Sequence, residues 1–315
     1  MQTSRSIVLL GPQRHQPIVR EALAPLTEHS APVAAITAGW EEREAEDLEL
    51  GAHLSRPVEN LQLFRRAEEV FQRDPELLRA VRAHHDDLRE LQRFYRMRLR
   101  HSMPAASELL GTEGDGRLLD PEREAAFASL RALDEHHLGR VIELQQAFSA
   151  KWGLRDREHV ARNREELGAL LRGVGALCIA GGHVGVLFNR LWMFDVLALL
   201  PEQTPVVAWS AGAMALCERI VLFHDDPPEG QGGAELLGPG LGVCRGIVPL
   251  PHARQRLKLQ DALRVQMLSR RCPDALCVAL EAGDRVTWDG TAWHASASVQ
   301  RLCVDGSLAA LGGAA

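Results

Sequence analysis

The apolar positions of this chain change period twice. Near the N-terminus, Ser6-Ile-Val-Leu-Leu-Gly-Pro12 is a short apolar run closed by a Gly-Pro turn, and Pro32-Val-Ala-Ala-Ile-Thr-Ala-Gly39 is a second such run. Between them Ile18–Leu26 reads as a helix. Two apolar runs flanking a helix are the unit of a parallel sheet, whose strands are buried on both faces.

From about Ser55 to Glu166 the strand signal disappears. Leu61, Phe64, Ala67 and Phe71 recur at helical spacing; after Asp74-Pro75, so do Leu78, Val81, Leu88, Leu91, Tyr95 and Leu99. Met103–Leu119 holds Pro104, Gly111, Gly114 and Gly116 and predicts a loop. Asp120-Pro121 then predicts an N-cap and a first-turn proline, followed by the stripe Leu130, Leu133, His137, Val141, Leu144 and Phe148. Strand signals return at Ala176–Ala180, Val206–Trp209, Gly246–Leu250 and Ala275–Leu280, with shorter ones around Arg285–Trp288, Ala292–Ala295 and Gln300–Val304. The pattern predicts an α/β domain from residues 1–50 and 166–315, a three-layer sandwich with a mostly parallel sheet, interrupted by an all-helical insertion at 51–165.

Three constellations carry chemistry. Val206-Val-Ala-Trp-Ser-Ala-Gly-Ala213 sends a β-run into a serine turn and then a helix. A nucleophile elbow has this layout: Ala208, Ala211 and Gly212 are small enough for a sharp turn that lifts the Ser210 hydroxyl off the sheet. The competing reading is a strand–turn–helix whose serine only caps the helix. Ala180-Gly181-Gly182-His183 ends a buried run, and its glycines let backbone N–H groups approach a ligand; with the Ala211 N–H they can form an oxyanion hole. Pro249-Leu-Pro-His252-Ala-Arg254-Gln-Arg256 puts a histidine at a strand end, where imidazole can act as the base that a serine hydroxyl needs at neutral pH. Two acids can orient that base, Glu281 being expected first because a strand end delivers it to the same edge, with Asp225 in reserve. Glu281 ends the run Ala275–Leu280, and Asp225 follows Ile220–Phe223.

The order Gly-Gly, Trp209-Ser-Ala-Gly-Ala213, then Pro251-His252, then a strand ending in Glu281 resembles the S51 serine peptidases, the group of dipeptidase E and cyanophycinase. The resemblance spans about residues 1–50 and 170–305. It implies a class I glutamine-amidotransferase-like, flavodoxin-like fold. It also implies a Ser210–His252 pair oriented by Asp225 (the dipeptidase E position) or Glu281 (the cyanophycinase position), an oxyanion hole from Gly181, Gly182 and Ala211, and hydrolysis of a peptide or amide substrate. His183, Trp209, Arg254 and Arg256 are the expected substrate-binding residues. The chain departs from the family at His183-Val184 after the glycines, at Leu250-Pro251 before the histidine, and in the spacing of the arginines. Serine in place of cysteine argues against the usual amidotransferase thiol route. Two alternatives are a degenerate member that binds a partner without catalysis, and another acyl transfer on the same triad.

Composition narrows the classes. The 315 residues are 46% apolar and 25% charged, with a net charge of −6, which suits a globular chain and argues against a nucleic-acid binder. No run approaches the ~18 apolar residues of a membrane span, and Ile7–Leu10 is too short for a signal-peptide core, so a soluble cytoplasmic protein is expected. The six cysteines contain no C-x-x-C pair and read as reduced, buried thiols. Only Lys151 and Lys258 are lysines among 36 basic residues, which points to a GC-rich bacterial genome. His84-His85-Asp86-Asp87 and Glu135-His136-His137 lack chelating spacing, since neighbours on a helix diverge by about 100°; no metal and no cofactor is expected. Finally, both ends of the insertion join the chain near the edge expected to carry Ser210. The helices are therefore expected to form a lid supplying Arg89, Arg93 and Arg96, or else a homodimer interface.

Overall fold

The computed structural model describes residues 5–223 and 233–311. In chain order the strands and α-helices are β1 (Ile7–Leu10), α1 (Val19–Leu23), β2 (Val33–Ile36), α2 (Leu48–Leu54), β3 (Val58–Asn60), α3 (Leu63–Arg73), α4 (Pro75–Gly111), α5 (Gly116–Trp152) and α6 (Glu158–Leu171). They continue with β4 (Ala176–Ile179), α7 (Val184–Phe194), α8 (Val196–Leu199), β5 (Val206–Trp209), α9 (Ala211–Leu216), β6 (Arg219–Leu222), β7 (Glu235–Pro239), β8 (Ile247–Pro251), α10 (Ala253–Arg256) and α11 (Ala262–Arg271). The last are β9 (Leu276–Leu280), β10 (Arg285–Trp288), β11 (Trp293–Ala295), β12 (Gln300–Leu302) and β13 (Leu308–Ala310).

The main sheet has the order β11-β10-β1-β5-β4-β2-β3. β1, β5, β4, β2 and β3 run parallel, while β10 and β11 close one edge antiparallel. Because side chains alternate across a strand, each apolar run feeds two cores. Val8, Leu10, Cys178, Val207 and Trp209 pack on the face covered by α1 and α2. Ile7, Leu9, Leu177, Ile179, Val206 and Ala208 pack on the opposite face, with residues of α3, α6, α7 and α9. This is the expected α/β sandwich with a mostly parallel sheet.

Four local features differ from the sequence reading. β3 lies inside the span expected to be strandless and extends the main sheet beside β2; three residues are too few for a periodicity signal. The helix α4 continues through Pro104 to Gly111, so the expected loop at 103–119 shrinks to 112–115. A proline removes one backbone hydrogen bond, but here Ala106 is fully buried in the interface with α5 and holds the last turns in place. The cap of α5 is Asp115, which accepts from the Arg117 N–H, and Pro121 sits inside the helix. Lastly, β8 and β9 are not in the main sheet. They form a second sheet of order β13-β12-β9-β8.

The helices α4 and α5 form an antiparallel hairpin that packs on β7 and α11. Its attachment is a buried ion pair. Arg271 donates to both oxygens of Asp134, at 2.9 Å from Nε and 2.8 Å from Nη2. Tyr95 donates its hydroxyl to Asp134 Oδ1 at 2.7 Å, and Arg271 Nη1 donates to the Ala234 carbonyl at 2.6 Å. One network thus joins α4, α5, α11 and the start of β7. His137 stacks on Tyr95 with ring centroids 4.2 Å apart, and His84 stacks on Phe148 at 4.6 Å. Among the described residues no group of three or more His, Cys, Asp or Glu side chains could hold a metal. Five of the six free cysteines are buried and Cys303 is half-buried. Among the described residues no helix is long and apolar enough to cross a membrane.

Removing one partner of a buried pair leaves an uncompensated charge, which costs about 3–5 kcal/mol. Asp134→Ala should lower the unfolding free energy by that amount in urea titration, whereas Asp86→Ala, on the exposed Arg89 pair, should change it by less than about 1 kcal/mol.

Candidate functional site

β5 delivers Trp209 to the carboxyl edge of the sheet, and the chain turns there in a single residue. Ser210 has φ 49° and ψ −118°, and Ala211 already begins α9. A side-chain-bearing residue at positive φ costs about 1–3 kcal/mol, and such strain concentrates at functional turns. Ser210 donates its own N–H to the Leu10 carbonyl at 3.1 Å, which fixes the turn to the end of β1. It does not use its side chain to cap α9, so the simple capping reading of this serine is set aside.

The glycine turn after β4 lies directly against it. A Cβ on Gly181 would stand 2.9 Å from the Ser210 Cβ, so only glycine allows the two turns to meet. Gly182 has φ +120°, and a Cβ there would stand 2.3 Å from the Gly39 carbonyl oxygen. The His183 N–H donates to that same oxygen at 2.7 Å. The turn after β2 therefore holds the Gly181-Gly182 turn in place. Neither Gly182 nor Ala211 uses its N–H in a backbone hydrogen bond among the described residues.

These turns line one cleft of about 730 Å³. Of the residues expected from sequence, it brings together Ser210, His252, Gly181, Gly182, Ala211, Trp209 and Arg256. His252 closes β8 with φ 57°, so the chain reverses at the histidine as it does at the serine. Trp209 is almost wholly buried in the core under α1 and α2.

The remaining expected residues lie elsewhere. Glu281 and Arg254 line an adjoining cavity of about 410 Å³ with Gln16, Asp284, Ser298 and Gln300. There Glu281 Oε1 accepts from the Arg254 backbone N–H at 2.6 Å, and Asp284 Oδ2 accepts from the Glu281 N–H at 2.8 Å. His183 caps α7 by accepting the Val186 N–H on Nδ1 at 3.1 Å, and it is not among the cleft-lining residues. Asp225 lies outside the described residues; the neighbouring Leu222 and Phe223 line the cleft.

The long helices do not line the cleft among the described residues. Arg96 pairs with the buried Glu235 at 2.6 Å, Arg93 pairs with Glu90, and Arg89 pairs with Asp86. The arginine stripe is thus occupied within the chain, and the hairpin stands behind β6 and β7 instead of over Ser210. The walls of the cleft were missed in the sequence: the turn Pro12–His15 after β1, Trp40 after β2, Glu49, Leu50 and His53 on α2, and Val221–Phe223. A signal existed for the first two. Both follow parallel strands, and ligands bind beyond the carboxyl ends of such strands.

No family model matches the chain, and no curated protein sequence is similar to it. Several solved structures resemble it, including the following two. One is a peptidase from an acI-B1 Actinobacterium, with 12% identity, a TM-score of 0.49, and coverage of 98% of this chain and 99% of the other. The second is a candidate peptidase E from Listeria monocytogenes EGD-e, with 10% identity, a TM-score of 0.44, and coverage of 93% and 98%.

The strained serine turn makes a prediction independent of any reaction. Ser210→Gly removes the Cβ from a positive-φ position, so it should stabilise the fold by about 1 kcal/mol or more, read as a higher midpoint in calorimetry. A lower midpoint would show that the Ser210 side chain contributes packing that outweighs its strain.

Proposed function

We propose that the protein is a serine hydrolase of peptide or amide bonds, of the S51 kind. The observation that carries the reading is Ser210 held at φ 49° between β5 and α9, in the same cleft as His252 and beside two glycines. A turn of this shape raises a hydroxyl from the sheet edge toward a bound ligand.

In this reading His252 removes the proton from Ser210 Oγ as the oxygen attacks the scissile carbonyl carbon. The electron pair of the carbonyl moves onto its oxygen, which receives the N–H groups of Gly182 and Ala211. Charge developing there is stabilised by donors already in position. His252 then gives the proton to the departing amine, leaving an acyl-serine that a water molecule, deprotonated by the same imidazole, hydrolyses.

The acid that orients His252 is assigned to Asp225. Glu281 already accepts the first-turn amide of α10 and opens into the adjoining cavity. Asp225 follows two residues after Phe223, which lines the cleft. The Glu281 carboxylate instead fixes the start of α10, and with it the backbone around His252.

A fluorophosphonate probe should label the wild type at Ser210, and Ser210→Ala should lose both labelling and turnover while keeping its circular dichroism spectrum. Labelling that persists in Ser210→Ala would place the nucleophile elsewhere. Asp225→Asn should lower kcat by on the order of 10³–10⁴, with a smaller loss in Glu281→Gln; the reverse ranking would return the orienting role to Glu281. Gly182→Ala should lower kcat by about 10²–10³, because its Cβ cannot fit against Gly39 without moving the N–H donor.

A further inference from the structure

Ser210 and His252 line one cleft but stand at the ends of strands in different sheets. Ser210 follows β5 of the main sheet, and His252 follows β8 of the second. Proton transfer between two side chains needs their geometry held closely, since a misplacement of about 1 Å can cost about 10²-fold in rate. The chain passes between the two sheets twice near this cleft. Residues 281–284 lead from β9 to β10, and residues 296–299 lead back from β11 to β12.

The first crossing reaches both turns through backbone hydrogen bonds. The Ser210 N–H donates to the Leu10 carbonyl, and Leu10 pairs with Arg285 across β1 and β10. The next residue along β1, Gly11, donates its N–H to the Asp284 carbonyl at 3.1 Å. At the far end of the crossing, the His252 N–H donates to the Leu280 carbonyl at 3.2 Å. A Cβ on Gly11 would stand 1.8 Å from the Glu281 carbonyl oxygen, so the crossing lies hard against the end of β1. The route from serine to histidine is thus backbone throughout, with the turn 281–284 in its middle.

One buried carboxylate holds that turn. Asp284 is only 4% exposed. Its Oδ2 accepts from the Glu281 N–H at 2.8 Å, beside the bond of 3.1 Å from the Asp284 N–H to the Glu281 carbonyl. Its Oδ1 accepts from the hydroxyl of Ser298, on the return crossing. That crossing is tied in turn to the start of β10: Arg285 donates its N–H to Ser296 Oγ at 3.1 Å and accepts the Ser296 N–H at 2.9 Å. A buried carboxylate is costly unless its oxygens are hydrogen-bonded. Here the bonds that satisfy it are the ones that fasten the two crossings together.

We propose that Asp284 is a positioning residue for the Ser210–His252 pair: its carboxylate locks the two crossings between the sheets, and so fixes where β8 presents the histidine relative to the serine turn. The role rests on the reading of Ser210 and His252 as nucleophile and base. Asp284 touches neither side chain's reacting atoms; it acts through the backbone of Glu281, Leu280 and Gly11. An asparagine can keep both bonds. Its amide oxygen accepts from the Glu281 N–H, and its NH₂ group donates to Ser298 Oγ, which changes from donor to acceptor.

The experiment uses the full chain and a fluorophosphonate probe, with the labelling rate at saturation (kinact) separated from the half-saturating concentration (KI). Asp284→Ala should lower kinact by about 10²-fold with KI unchanged, because the groups that line the cleft are retained. Asp284→Asn should restore kinact to within about threefold of the wild type, since both bonds survive. Asn163→Ala is the control. Asn163 is buried on α6, where it accepts from Arg66 at 2.7 Å and donates to the His159 carbonyl at 2.8 Å. Its loss should lower the thermal midpoint and leave kinact as it was. If Asp284→Ala does not fold, Ser298→Ala serves in its place; it removes one of the two bonds and should slow kinact by about tenfold. Wild-type kinact in Asp284→Ala or in Ser298→Ala overturns the proposal. So does an Asp284→Asn as slow as Asp284→Ala, or an equal slowing in Asn163→Ala. Absence of labelling in the wild type would instead overturn the hydrolase reading, and this role with it.

Discussion

The ends of the parallel strands meet so closely that their backbones touch with no side chain between them. The turn after β4 lies against the turn after β2 on one side and against Ser210 on the other, and Ser210 is bonded to the end of β1. Gly11, at that end, donates its N–H to the Asp284 carbonyl at 3.1 Å, which ties in the turn after β9. Each turn is thus braced by its neighbours. A serine at positive φ is unfavourable in isolation, and the strain persists only because the surroundings leave the chain no relaxed alternative. The cleft, its two glycines and its histidine all take their positions from this crowding.

Some of this was legible in the residues. The elbow stood out because a sharp turn demands small neighbours, and Ala208, Ala211 and Gly212 are an uncommon sequence of them. The main strands stood out because burial on both faces requires an unbroken apolar run. What failed was information that a local pattern does not contain. The run Ala275–Leu280 was correctly a strand, yet nothing in its composition says which sheet it joins. It pairs with β8 in a separate sheet; Glu281, just past β9, lines a cavity with Arg254, while His252, just past β8, lines the cleft of Ser210. Pro104 was a reasonable place to end a helix, but Met103, Ala106 and Leu110 pack in the second core and Arg123 donates to the carbonyls of Leu109, Leu110 and Thr112, which together hold the last turns. Arg14, Trp40, Glu49 and Phe223 meet in one cleft although they are scattered over about two hundred positions, and only the topology brings them together.

The helical hairpin affects the cleft at one remove. Gln92 donates to the Leu236 carbonyl at 2.9 Å, and Arg96 pairs with Glu235. Both contacts hold β7, which pairs with β6 in register Val221 to Leu236. β6 in turn supplies Val221 and Leu222 to the wall of the cleft. The hairpin therefore stiffens the wall from behind, and an element with no residue in the cleft still constrains its shape.

The Arg271–Asp134 pair also has a consequence for how the chain acquires its structure. The hairpin forms from contacts local in sequence and can assemble as soon as residue 152 has emerged. Its apolar stripe, with Phe127, Leu130 and Leu133, shares a core with residues of β6, β7, α11 and the second sheet, and the arginine that neutralises Asp134 lies 137 positions further along. At a synthesis rate of about 5–20 residues per second, the hairpin waits roughly 6–24 s for α11, with an apolar face and a lone carboxylate exposed together. That carboxylate, costly once buried, is well solvated during the wait.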